Sequence, residues 1–343
     1  MIIDCAYYVD GKRQHGGQMD LGRAAEVCEA GNEGFVWIGL FEPSTEELAD
    51  VQRRFGLHDL AVEDAQTLHL RPKVEQYDAG ALSFVVLRTA RYDEQTEEVD
   101  FGEVSVFLGR QFVIAVRQGQ ASDLHDARTR LEERPELLSE GPASALWAIM
   151  DKIVDDYAPV VQCLERDVEE LEERVFQGSV APSDRIYKLR REATEFHRAV
   201  RPLLAPLDAI TRGTQLRNVS KKLRPFFRDV NDHLTLAEED INAQREALAT
   251  MLQSNLAVIS LQQNDIAVRQ NETSKQLTVI ATVFLPLTFL TGFFGMNFKW
   301  LTDHIESLLV FLIYGIGSLV VSLGLLWFFI KRNRWFADAS EDS

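Results

Sequence analysis

Residues 276–298 read QLTVIATVFLPLTFLTGFFGMNF, and residues 307–330 read SLLVFLIYGIGSLVVSLGLLWFFI. Neither stretch carries a charged residue, and each exceeds the roughly 20 apolar residues that take a helix across a bilayer core. Two membrane-spanning helices are therefore expected at the C-terminal end. What precedes them is polar enough to bring the mean hydropathy of the whole chain down to −0.13. At 343 residues the chain is also longer than one ordinary domain of roughly 100–200 residues. The expectation is a membrane protein with a large soluble part.

Upstream of the first span, no Gly or Pro occurs between Pro225 and Pro286. Sixty helical residues at 1.5 Å each reach about 90 Å, so one helix is predicted to run from the soluble part into the membrane. A helix of that length needs lateral partners, because propensity alone stabilises it little. Further back, Ile153, Tyr157, Val160, Leu164, Val168, Leu171 and Val175 recur at steps of three and four, the signature of an amphipathic helix. Gly178 and Pro182 end it, and a second helix is predicted from Asp184 to about Val200, packed antiparallel on the first.

The first 120 residues read as mixed α and β. Residues 35–40, 82–87 and 104–108 are apolar runs of strand length, and 112–116 follows the short turn Gly109-Arg110-Gln111, which predicts a hairpin. Helices are expected at residues 44–55 and 57–66, the first opened by a capping box of Ser44 and Glu47.

The net charge is −17, from 53 acidic and 36 basic residues, the opposite of what neutralising nucleic-acid phosphates requires. Cys5, Cys28 and Cys163 are isolated, which suits a reducing compartment and argues against a disulfide framework or a structural zinc site. Residues 1–10 have no basic segment followed by a long apolar core, so no secretory signal is expected there. Lys331, Arg332 and Arg334 directly follow the second span, and the positive-inside tendency places them, with the N-terminus, in the cytoplasm. The segment from Lys299 to Glu306 then faces outward.

No nucleophile elbow, phosphate loop, dinucleotide fingerprint or zinc-protease helix is present, and no enzyme activity is expected. Residues 57–64, LHDLAVED, hold four groups able to bind metal (His58, Asp59, Glu63 and Asp64), and equally describe a capped surface helix. Thr278, Thr282, Thr288 and Thr291 interrupt the first span, where a threonine usually bonds back to its own helix. Yet Asn271, Ser274, Leu277 (or Thr278), Ala281, Leu285, Thr288 and Asn297 share a rough stripe. Polar intramembrane groups face a bundle interior or a watery path. Two helices cannot enclose a path, so a pore demands an oligomer.

Residues 286–298, PLTFLTGFFGMNF, strongly resemble the end of the first membrane helix in the CorA family of divalent-cation channels, whose signature is Gly295-Met296-Asn297. The resemblance extends to Glu63-Asp64 with residues 69–75 (HLRPKVE), to 151–157 (DKIVDDY), to 227–233 (FRDVNDH) and to 331–335 (KRNRW). It implies an α+β membrane protein assembled as a funnel-shaped homopentamer. Residues 1–121 would form a cytoplasmic α/β domain and 122–224 a helical hairpin region. Residues 225–298 would be a stalk helix continuing into the first span (about 276–297), and 299–306 an outer loop. The second span is 307–330, with a basic then acidic tail at 331–343.

The function implied is passive, potential-driven influx of Mg²⁺, with Co²⁺ and Ni²⁺ also admitted, across a bacterial inner membrane. By the same resemblance, Gly295, Met296 and Asn297 form the selectivity filter, and Asn271, Ser274, Leu277, Ala281, Leu285 and Thr288 line the pore. Glu63, Asp64, Asp151 and Asp229 would bind regulatory Mg²⁺ between subunits. No organic cofactor and no nucleic-acid partner are implied; the partners are further copies of the chain, lipid and divalent cations. One departure stands out. Magnesium members commonly follow the signature with Met-Pro-Glu-Leu, whereas this chain has Lys299-Trp300-Leu301-Thr302-Asp303-His304. The alternatives are a ZntB-like zinc transporter of the same fold and a membrane-anchored coiled-coil scaffold without transport.

Overall fold

The apolar runs near the N-terminus form the middle of one sheet in the computed structural model of the chain, which describes residues 1–14, 18–31, 33–68, 71–77, 80–119, 123–176, 183–216, 218–296, 298–304 and 307–332. Gly178, Pro182, Asn297, Glu306, Arg334 and the His69-Leu70 pair, all singled out above, lie outside the described residues. The strands are β1 (Ile2–Val9), β2 (Lys12–Gln14), β3 (Phe35–Phe41), β4 (Lys73–Tyr77), β5 (Leu82–Asp93), β6 (Glu98–Leu108) and β7 (Phe112–Gln118). Their order is β2-β1-β3-β7-β6-β5-β4, and β3 runs parallel to β7 while the other neighbours are antiparallel. The expected hairpin is β6–β7.

Both faces of this sheet are covered, which is why its strands read as continuous apolar runs. Val36 and Ile38, with Phe84 and Val86, pack under α1 (Leu21–Glu29), α2 (Thr45–Phe55) and α3 (Asp59–Gln66). Trp37, Val85 and Leu87 point the other way, into a larger core with the remaining helices. The capping box at α2 is formed: the Glu47 amide donates to Ser44 Oγ at 3.2 Å, and the Ser44 amide donates to Glu47 Oε2 at 2.9 Å. Gly56 closes that helix at φ 63°, a left-handed position that only glycine adopts cheaply.

On the second face lie α4 (His125–Glu132), α5 (Pro135–Leu138), α6 (Pro142–Asp155), α7 (Tyr157–Phe176), α8 (Ser183–Arg212) and the first part of α9 (Arg224–Phe294). Two expectations need correction. The helix predicted through residues 153–175 is two helices broken at Asp156. Pro159 cannot donate to the carbonyl four residues back and sits at no such cost in a first turn, where a new helix starts at Tyr157. The helix predicted to end near Val200 continues to Arg212 through Pro202 and Pro206. Burial of Leu203, Leu207 and Ile210 offsets the two lost backbone bonds.

The first part of α9 buries Phe227, Val230, Leu234, Ala237, Ile241, Gln244, Leu248, Met251 and Asn255. Steps alternating between three and four give a 3.5-residue period, the seam of a coiled-coil-like packing. Its polar members are anchored through their amide nitrogens: Gln244 Nε2 donates to the Val161 carbonyl at 3.0 Å, while its buried Oε1 has no partner among the described residues, and Asn255 Nδ2 donates to Ser183 Oγ at 3.1 Å.

The chain divides into two compact units, Met1–Ala257 and Val258–Ser343. The second holds the rest of α9, then α10 (Lys299–His304), α11 (Leu308–Val310), a π-helical stretch (Phe311–Ile316) and α12 (Gly317–Arg332). The segment expected as an outer loop, 299–306, thus contains one short helix. The end of α9 and the segment Leu308–Phe328 are long and apolar enough to cross a membrane.

Candidate ion path and carboxylate sites

Burial stops abruptly along α9. None of the described residues from 256 to 298 is buried within its own chain. Leu261 and Ile266, which precede the first span, are 67% and 64% exposed. At about 100° per residue, Asn271, Ser274, Leu277, Ala281, Leu285 and Thr288 fall within an arc of about 120° on this helix. All six are exposed. One face of α9 therefore presents a mixed polar and apolar stripe that none of the described residues buries.

The threonines take the ordinary role expected of them. Thr278 Oγ1 donates to the Ser274 carbonyl at 2.8 Å, Thr282 to Thr278 at 2.7 Å, Thr288 to Phe284 at 2.7 Å and Thr291 to Leu287 at 2.9 Å. This does not disqualify Thr288 as an oxygen ligand. Its single proton is committed inward, and the oxygen keeps acceptor capacity for a cation or its water. The helix ends at Phe294, and the Gly295 amide still donates to the Thr291 carbonyl at 2.9 Å. Gly295 and Met296 therefore follow the negative end of a helix dipole, an electrostatic setting that favours cations.

In the first unit, the four acids form two pairs. Asp151 lies on α6 and Asp229 on α9, close enough that the charge on Asp229 acts on Asp151. Burial pushes the Asp151 carboxyl up to about 6, with the charges of Asp155 and Asp229 adding to the shift and those of His233 and Arg134 opposing it. His233 Nδ1 sits 3.2 Å from Asp155 Oδ1. Asp155 and His233 were inside the segments 151–157 and 227–233, yet sequence reasoning did not single them out; the resemblance between those segments and the family was the available signal.

Because its folded pKa lies above the ordinary 3.8, Asp151 favours folding only while protonated, and that contribution is lost as pH rises from about 4 to about 6. Asp151→Asn is therefore expected to stabilise the metal-free protein by about 1 kcal/mol near pH 7.5, discounting the full shift because the carboxyl is only partly buried. The gain should vanish near pH 4. Thermal unfolding with chelator present at both pH values checks this, and an equal gain at both would remove the crowded-acid explanation.

The other pair, Glu63 and Asp64, lies on α3, across the sheet from α6 and α9. Asp64 is bound by the Lys73 ammonium, which also donates to Glu75 Oε2 at 3.1 Å. His58 and Asp59 take structural roles: His58 Nδ1 accepts from the Leu60 amide at 3.3 Å and its ring stacks on Tyr77, while Gln52 Nε2 donates to Asp59 at 2.6 Å. Among the described residues, no group of three or more His, Cys, Asp or Glu within the chain is arranged to hold a metal ion.

An α/β unit, a helix running on from it and two apolar C-terminal segments long enough to span a bilayer define a membrane protein. Residues 32–332 match the family described as CorA-like Mg2+ transporter protein, and the chain belongs to this family of divalent-cation transporters. It is 29% identical over 314 residues to the protein YfjQ of Bacillus subtilis, covering 91% of this chain and 93% of that one. The cobalt/magnesium transport protein CorA of Thermotoga maritima is 29% identical over 261 residues, 76% of this chain and 72% of its own. The zinc transport protein ZntB of Pectobacterium carotovorum is 22% identical over 269 residues, with 78% and 77% covered. The fold matches that of the full-length CmaX protein with a TM-score of 0.65 at 19% identity, covering 97% of this chain and 98% of that one.

Proposed function

We propose that five copies of the chain assemble so that their α9 helices enclose a passive influx path for Mg²⁺, admitting Co²⁺ and Ni²⁺ as well, across a bacterial inner membrane with both termini cytoplasmic. The carrying observation is the uncovered stripe on α9, half polar and half apolar, which leads from Asn271 and Ser274 into the charge-free first span at Leu277, Ala281, Leu285 and Thr288. A single chain supplies one such helix, so only a ring of copies turns the stripe inward.

Mg²⁺ sheds its water reluctantly and prefers six oxygens in an octahedron. Carbonyl oxygens from a ring of Asn297 side chains can hold the hydrated ion through its waters, whereas a carboxylate ring there would release it poorly, and conduction requires weak sequential sites. Thr288 and Asn271 supply further oxygen rings, and Leu277 an apolar constriction that closes by excluding water. An inside-negative potential drives each divalent ion with about 4.6 kcal/mol per 100 mV, twice the single-charge value, so no ATP site is required.

The carboxylates suit regulatory Mg²⁺ in donor type, since hard oxygen ligands match a hard cation. Their division between opposite faces of the sheet means that one chain cannot close the site. In a ring, Glu63 and Asp64 of one copy can approach Asp151 and Asp229 of the next. When bound there, Mg²⁺ supplies positive charge between facing acids. Without it, chains at −17 each repel, the first units loosen and the pore opens. Binding the closed arrangement better than the open one is what lets the ion shift the equilibrium.

Flux into proteoliposomes, measured separately for Mg²⁺, Co²⁺ and Zn²⁺ with and without a pH gradient, tests this reading. Mg²⁺ uptake without a pH gradient is expected. His304 and the loss of a Met-Pro-Glu-Leu loop after residue 298 favour zinc as the second reading. Uptake of Zn²⁺ but not Mg²⁺ would establish it in place of the first.

A further inference from the structure

Among the described residues, Asp64 is the one of the four proposed regulatory acids whose carboxylate pairs with a lysine. Lys73 opens β4, an edge strand, and its ammonium reaches across to Asp64 in the last turn of α3. The same ammonium donates to Glu75 Oε2 at 3.1 Å, and Tyr77 Oη donates to that oxygen at 2.6 Å. It lies 5.7 Å from the centre of the Phe84 ring. Burial lowers the Lys73 pKa, but the bonds to Asp64 and Glu75 outweigh it and the net shift is upward, so the group stays charged. Lys73 and Asp64 are 27% and 26% exposed, more sheltered than an ordinary surface pair.

We propose that Lys73 is a tethered cation that occupies Asp64 while Mg²⁺ is absent and is displaced onto Glu75 when Mg²⁺ binds, so that Lys73 sets the Mg²⁺ concentration at which the site fills. This rests on the assignment of Asp64 to the regulatory site. The physical argument is competition. An incoming divalent ion must remove a positive charge already bonded to its ligand, and its apparent affinity falls by the strength of that bond. Glu75 moderates the loss, because an ammonium shared between two carboxylates keeps one partner when it releases the other. Tyr77 fixes the Glu75 oxygen in place to receive it. The empty site is thereby partly neutralised, and it responds only once Mg²⁺ is abundant.

The test uses the full-length protein in detergent, with Mg²⁺ titrated and protection from a protease as the readout. Lys73→Met keeps the aliphatic stem and removes the charge; the Mg²⁺ concentration for half-protection should fall about fivefold, the worth of a partly sheltered ion pair. Glu75→Gln leaves the ammonium no second carboxylate, ties it to Asp64 and should raise the midpoint. Lys73→Arg keeps the charge, and its midpoint should stay on the high side with the parent. Asp64→Asn separates the two layers of the argument. If it weakens protection while Lys73→Met and Glu75→Gln leave the midpoint unmoved, the displacement mechanism is wrong and the site stands. If Asp64→Asn protects like the parent, the site assignment fails and the displacement with it. Should Lys73→Met prove unstable, the opposite-signed shift in Glu75→Gln still decides.

Discussion

Asn297→Ala abolishes Mg²⁺ uptake into proteoliposomes, by at least about a hundredfold, while the oligomer stays assembled. A hydrogen bond to a charged partner is worth about 1.5–3 kcal/mol, so losing even two of five amide groups around a hydrated cation reaches that factor. Assembly should be spared because position 297 lies three residues past Phe294, where α9 ends. Chemical cross-linking alongside flux checks both halves. Normal Mg²⁺ flux through cross-linkable Asn297→Ala oligomers would remove the filter from this position.

Leu277→Asn has the opposite sign: it leaks. Leu277 is 62% exposed on α9, inside the arc shared with Asn271 and Thr288. In the proposed ring of five copies, leucines facing one another would exclude water, and the dry preference of one leucine is about 1.5–3 kcal/mol. Replacing them with an amide should raise flux at high internal Mg²⁺ by about tenfold or more, because wetting no longer opposes conduction. If the variant conducts no more than the parent under those conditions, the constriction lies elsewhere on the stripe, and Leu285, 71% exposed, becomes the position to change.

How far the sequence was legible depends on whether the signal was local. The two uncharged stretches and the helix beginning near Pro225 were readable because hydropathy and the absence of Gly and Pro act residue by residue. The Ser44–Glu47 capping box was likewise local. Two of the strands not seen are β4, at one edge of the sheet, and β1, one strand in from the other edge. β4, KVEQY, alternates charge with apolar residues and pairs only with β5, so nothing in its composition demands burial. β1 contains Asp4, which looks unfit for a strand until Arg13 and Arg128 are found bonded to its carboxylate. Helix α8 passed its prolines because tertiary burial outweighed local propensity.

For the carboxylates, sequence position grouped four residues through family resemblance alone. What folding adds is partnership. Asp151 and Asp229 come from α6 and α9, 78 positions apart, and Lys73 of β4 pairs with Asp64 of α3. Such pairings depend on how helices pack on the sheet, and no local pattern announces them. On the membrane side, the stripe on α9 was legible from helical spacing. The inward bonding of the threonine hydroxyls was foreseen as well, and it leaves the Thr288 oxygen free to accept.

The proposed passage of Mg²⁺ is passive and driven by the membrane potential. Its most direct measurement is the initial rate of Mg²⁺ uptake into proteoliposomes as an imposed inside-negative potential is varied, with no nucleotide and no pH gradient. The account predicts uptake that rises with the potential and is suppressed when Mg²⁺ is loaded on the side of the soluble unit. Uptake that ignores the potential, or that requires a proton gradient, would contradict it.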